Sequence, residues 1–126
     1  AIVMIVLGAN LRFAKHLPHR DLPPRNEPSL YQQLGLAALG LSQEVFEKAL
    51  SGYQALYNDS LLSKPEFLSI ADFSQSANIK RLYVIDMINC KVLFHTYVAH
   101  GRNSGDEYAC SFGNKAESYK SSLGFY

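Results

Sequence analysis

The chain has 126 residues and a mass of 14.1 kDa, room for one domain around one core. Hydrophobic residues make up 48% and aromatics 12%, which excludes disorder throughout. Twelve Lys and Arg against eleven Asp and Glu give a net charge of +1 with no block of like charge, so nucleic acid is not expected as a partner.

No apolar run reaches the roughly 20 residues that span a bilayer, and no transmembrane segment is expected. Residues 1–9 (AIVMIVLGA) are uncharged and almost wholly apolar. They fit the hydrophobic part of a signal peptide, although the basic segment that precedes one is absent. A buried strand is the other reading, because Ile2, Val3, Ile5 and Val6 are β-branched. Four of the five prolines (Pro18, Pro23, Pro24, Pro28) then fall within eleven residues, a density that prevents both helix and central strand. Residues 1–28 therefore read as a leader remnant and a Pro-rich tether. This points to an exported protein of the periplasm or cell envelope. His16 and His19 have a metal-ligand spacing for a helix, but Pro18 between them favours two solvated histidines.

A helix is expected over residues 30–39, opened by a capping box of Ser29 and Gln32 and closed by Gly40. Ser42 caps a second helix running to about Tyr57, with Leu41 and Phe46 placed to form a hydrophobic staple. Its apolar stripe is Val45, Phe46, Ala49, Leu50 and Tyr53, while Glu44, Glu47 and Lys48 face water. After Pro65 the pattern becomes extended, with strands expected at 67–73, 81–87 and 92–100 and a hairpin loop at 88–91. The second strand carries apolar groups on both faces and is expected to be central.

Four of the eight glycines and five serines fall in the last 26 residues, which read as a mostly irregular tail with few local contacts. His95 reads as a hydrogen-bonded core histidine within a strand rather than a ligand, and Asp106 and Glu107 as solvated charge. The two cysteines, Cys90 and Cys110, form neither C-x-x-C nor a zinc spacing, and no metal or other cofactor is expected. Three readings of them stay open: a disulfide closing a loop of about 20 residues, worth on the order of 3 kcal/mol, two free and partly buried thiols, or a Cys110–His100 pair.

The runs DFSQSANIKRLYVIDM (72–87), VAHGRNSG (98–105) and FGNKAESYKSSLGFY (112–126) resemble the murein L,D-transpeptidase catalytic-domain family, a relative of the YkuD-type transpeptidases. The helical stretch 29–56 is similar to the region that precedes the catalytic core there. The resemblance covers residues 29–126 and implies cysteine-dependent acyl transfer on peptidoglycan stem peptides, with a His as base. That His stands in a Met-His-Gly segment and that Cys in a Gly-Arg-Ser-x-Gly-Cys-Pro segment, and neither motif occurs here. His100-Gly101 matches an earlier His-Gly of the family, not the one that carries the base. The chain is thus expected to be the N-terminal part of such a domain, with no catalytic residue of its own and no activity alone.

The loop His100, Gly101, Arg102, Asn103, Ser104, Gly105, together with Ser122, is the expected substrate-binding element. Its glycines free backbone N–H groups, and Arg102 offers a bidentate fork for the carboxylates of peptidoglycan stems. A plain turn after a strand is the other reading. The expected architecture is α+β: two N-terminal helices packed on a mostly antiparallel sheet that is incomplete. A non-catalytic cell-wall-binding or structural periplasmic protein is the alternative in function.

Overall fold

The computed structural model describes residues 2–5 and 28–126. The chain forms β1 (Ile2–Ile5), α1 (Leu30–Gln33), α2 (Gln43–Asn58), β2 (Phe67–Asp72), β3 (Leu82–Asp86), β4 (Lys91–Thr96) and β5 (Gly124–Phe125). The strands make one sheet in the order β4-β3-β2-β1-β5, with β1 parallel to β2 and every other pair antiparallel. The class is α+β, as expected. The expected tether with His16 and His19 lies outside the described residues.

The helix expected over 30–39 is a single α-helical turn. Its capping box forms as read: Ser29 Oγ accepts from Gln32 N at 3.3 Å and Gln32 Oε1 accepts from Ser29 N at 2.9 Å. The turn stops because Leu34 and Leu36 are both buried in one core. A continuous helix would set residues i and i+2 roughly 200° apart, so the chain must leave the helix between them. Gly35 does this at φ +63°, a conformation that costs other residues more. Short i to i+3 bonds then carry the chain to Gly40.

Helix α2 begins one residue after Ser42, whose hydroxyl accepts from Val45 N at 3.3 Å. Its stripe buries Val45, Phe46 and Ala49 against Leu68 and Ile70 of β2 and Tyr83 and Ile85 of β3. The pairs Leu68↔Ile85 and Ile70↔Tyr83 place these four side chains on one sheet face. Tyr83 is fully buried and donates its hydroxyl to Leu39 O at 3.1 Å, tying the sheet to the turn after α1. Burial pushes its phenol pKa upward. The opposite face is covered in part by a second cluster, in which Ala71, Phe73 and Ala109 meet Leu82, Val98 and Phe112. β3 is central in the pairing order, but its two faces are not equally covered: Tyr83 and Ile85 are buried, Leu82 and Val84 half-buried.

The end of the chain returns to the sheet. β5 pairs with β1, and the Phe125 ring lies against Gly52 of α2, in the space that a Cβ there would fill. In the β3–β4 hairpin, Cys90 takes φ +50° and Asp86 closes the turn. The Asp86 carboxylate accepts from Ile88 N at 3.0 Å, Asn89 N at 2.8 Å and Asn89 Nδ2 at 2.8 Å.

The hydrogen bonds from the Asn89 side chain and backbone hold the Asp86 pKa below its ordinary value of 3.8. A depressed carboxylate contributes stability above its unfolded pKa and loses it as pH falls through the folded one. The hairpin should therefore be fully supported at neutral pH and weaken below the ordinary value. Amide exchange at Ile88 and Asn89 measures this: protection should drop on acidification in the parent chain. Asp86→Asn should start lower and show a shallower drop; an identical acid slope in both would contradict this.

Candidate functional site

Arg81 stands just before β3 and is fully buried. Its backbone is pinned on both sides, with N donating to Thr96 O at 3.0 Å and its carbonyl accepting from Asp72 N at 2.9 Å. The guanidinium donates through Nε and Nη2 to Val98 O at 3.2 and 3.1 Å, and through Nη1 to Gln75 O at 2.7 Å. Nη2 also meets His100 Nδ1 at 2.7 Å. Phe73 lies beneath, with the guanidinium carbon 5.0 Å from its ring centroid. Burial lowers the Arg81 pKa, and the nearby Asp72 charge opposes that shift. The Asp72 carboxylate, itself buried, accepts from Ser74 N, Ser74 Oγ and Gln75 Nε2.

The partners of His100 fix its tautomer. Arg81 can only donate, so Nδ1 accepts; Nε2 lies 2.9 Å from Gly105 O, which can only accept, so Nε2 carries the hydrogen. The imidazole thus joins a buried cation to the far end of the 100–105 loop. Both ring nitrogens are occupied, and the Cys110–His100 pair does not form. Cys90 and Cys110 are free and exposed rather than partly buried, and among the described residues their Sγ hydrogen bonds go to the carbonyls of Met87 and Tyr108. Of the three readings of these residues, two free thiols is the one observed.

The rest of the loop is braced by the tail. Ser104 is buried: its hydroxyl accepts from Ser121 N at 2.8 Å, and its carbonyl accepts from Cys110 N at 2.8 Å and Ser111 N at 3.0 Å. Gly101 N donates to Ser121 Oγ at 2.8 Å, and Ser122 Oγ donates to Gly113 O at 3.2 Å. Asn103 donates its backbone N–H to Tyr119 O at 3.0 Å and its side-chain amide to Ser118 O at 2.9 Å. Gly101 and Gly105 cannot be replaced freely, since a Cβ would collide with Tyr119 O at the first and Tyr108 O at the second, where φ is +145°. The expectation of few local contacts in the tail is thus corrected. Residues 101–123 are irregular, but serine hydroxyls and backbone groups supply the ties that regular structure would otherwise supply.

Arg102 differs from its neighbours. It is exposed and stacks on the Tyr119 ring at 3.8 Å, and among the described residues its guanidinium makes no hydrogen bond or ion pair. His95 is hydrogen-bonded as expected, with Nε2 3.0 Å from Lys80 O, and stacks on Tyr83 at 4.6 Å, but it is half-buried rather than a core residue. Glu107 is not merely solvated: its carboxylate accepts from the buried Ser76 hydroxyl at 2.6 Å and its carbonyl accepts from Ala77 N. Among the described residues no three His, Cys, Asp or Glu side chains converge as a metal site would require. A depression of about 480 Å³ at the end of α2 is lined by Tyr57, Asn58, Ser60, Leu62 and Pro65, and shares no residue with the loop. No helix among the described residues is long and apolar enough to cross a membrane.

Sequence reasoning missed Arg81, Tyr119 and Ser121. An arginine opening an otherwise apolar strand was the available signal for the first. Replacing Arg81 by Met strips donors from two carbonyls and from His100 Nδ1, each loss costing about 1–3 kcal/mol where water cannot substitute. Arg81→Met should lower unfolding stability by roughly 3 kcal/mol in urea titration, and Arg81→Lys should recover less than half, since an ammonium lacks the planar fork. A loss within about 0.5 kcal/mol, the usual range for surface substitutions, would contradict the bracing role.

A family model described as L,D-transpeptidase catalytic domain matches residues 37–126, from the turn before α2 through β5. No curated protein and no solved structure matches the chain. The matched span contains α2, four of the five strands and the whole braced loop. The chain belongs to the L,D-transpeptidase catalytic-domain family.

Proposed function

We propose that the chain is the N-terminal portion of an exported murein L,D-transpeptidase-like protein and that it seats peptidoglycan stem peptides for cysteine-dependent acyl transfer. The loop His100, Gly101, Arg102, Asn103, Ser104, Gly105 and the adjoining Ser122 form the seat. The observation that carries this reading is the asymmetry of the loop within a family that acts on peptidoglycan. His100, Asn103 and Ser104 spend their side-chain groups on internal bonds, while Arg102 keeps its donors free of partners among the described residues. A rigid loop with one available cation suits an anionic peptide.

For the chain by itself, one observation favours binding without chemistry, the role of a non-catalytic wall-binding protein. Among the described residues each exposed thiol has a carbonyl as its hydrogen-bond partner, and His95 and His100 are both engaged in structural bonds. A thiol with no base hydrogen-bonded to it lacks the activation that cysteine-dependent acyl transfer uses.

Incubation of the chain with purified muropeptides tests both parts. Binding without cross-linked or hydrolysed products is expected, and Arg102→Ala should weaken that binding by about five-fold or more, the scale of one charge-assisted hydrogen bond. Turnover that disappears in Cys110→Ser would overturn the assignment of a binding role, and absence of any association would overturn the seat.

A further inference from the structure

We infer that Tyr119 is a specificity-determining platform that holds the Arg102 guanidinium flat, so that its in-plane N–H groups select a carboxylate on the bound peptide. The inference rests on the loop being the peptide seat and adds to it a residue and a recognised group.

Tyr119 occupies the left-handed region at φ +54°, which costs a residue with a side chain roughly 1–2 kcal/mol. Such a conformation persists where its surroundings determine it. Here Asn103 N donates to Tyr119 O at 3.0 Å and the Asn103 side-chain amide donates to Ser118 O at 2.9 Å. Gly101 leaves the room for the Tyr119 carbonyl, which a Cβ at that position would strike. The loop thereby sets the Tyr119 backbone on two sides, and the ring lies 3.8 Å from the Arg102 guanidinium carbon. Both residues are exposed, Tyr119 at 55%.

Stacking uses the face of a guanidinium and leaves its edge, where all five N–H groups lie, directed away from the ring. Among the described residues no carboxylate comes within 4.0 Å of that edge. Asp106 and Glu107 are near in sequence, but the Glu107 carboxylate is turned to Ser76. A planar cation with its rotation restricted and its donors unpaired matches a planar, two-oxygen anion, and two parallel hydrogen bonds discriminate it from a neutral amide. A lysine at 102 would retain the charge and its general attraction for an anion, and lose the two-point hydrogen bonding.

The test follows the Tyr119 ring and Arg102 Nε–H resonances of the 126-residue chain during titration with N-acetylalanine, its amide, and a stem peptide in acid and amide forms. The acid forms should bind about ten-fold more tightly than the amides. Tyr119→Phe should keep this preference, whereas Tyr119→Leu and Arg102→Lys should reduce it to about two- to three-fold, the part that charge alone supplies, with the amide spectrum of the fold unchanged. Should Tyr119→Leu disturb the fold, Arg102→Lys alone decides. Equal binding of acid and amide, or an undiminished preference in Arg102→Lys, would overturn the inference. Stem peptides that bind without acid preference would overturn it while sparing the seat. Preference for N-acetylalanine with no stem-peptide binding would show carboxylate selection by the Tyr119–Arg102 pair but overturn the seat and, with it, the inference for a bound peptide.

Discussion

One buried guanidinium organises the functional half of this molecule. Arg81 lies where β2, β3 and the segment after β4 meet, and its donors reach two separate stretches of chain: the β2–β3 turn at Gln75, and the segment after β4 at both Val98 and His100. An arginine without solvent is expensive unless its hydrogens are satisfied. The cost is offset here by carbonyls and an imidazole, not by direct ion pairing: the nearby Asp72 carboxylate takes its own hydrogen bonds from Ser74 and Gln75. Because the guanidinium fork is rigid, these acceptors are held in a fixed arrangement. Gln75 extends the arrangement further, since its side chain also donates to Gly40 O at 2.9 Å and so links it to the turn that precedes α2.

From this anchor the order of the site propagates outward. His100 transmits it to Gly105, Ser104 locks the loop to Ser121 and to residues 110 and 111, and Asn103 ties it to residues 118 and 119. Some of these bonds stay within the loop and its exit, and those to residues 118, 119 and 121 join groups 15 or more residues apart. The tail finishes at β5, where pairing with β1 and the contact of Phe125 with Gly52 fasten it to the layer of the sheet and helix. An irregular segment thus acquires a defined shape without a large apolar area of its own. The consequence is that the exposed cation Arg102 sits on a loop whose polar side chains His100, Asn103 and Ser104 are engaged in internal bonds.

What was legible in the sequence was what depends on near neighbours. The Ser42 cap and the stripe of α2 are set by spacings of three and four residues, and the β3–β4 hairpin by adjacent apolar runs. The first helix was overestimated because local propensity does not register that Leu34 and Leu36 must enter one core. The tail was misjudged for a related reason: serines and glycines look like flexible chain until the partners of Ser104 and Ser121 are known, and those lie up to 20 residues away. The 100–105 loop could be picked out from its motif. That His100 braces while Arg102 projects could not, because the difference is made by Arg81 and Tyr119, which no short spacing connects to the loop.

The central claim is that the Arg81–His100–Gly105 connection defines the loop, and the state of one imidazole reads it directly. Nitrogen chemical shifts of a chain labelled at histidine distinguish the two neutral tautomers. The account predicts that His100 is present as a single species with a bare Nδ1 and a protonated Nε2, the latter showing a one-bond coupling to a slowly exchanging hydrogen. A ring averaged between tautomers, or one with the hydrogen on Nδ1, would mean that Arg81 does not hold His100 and that the loop is organised by something else.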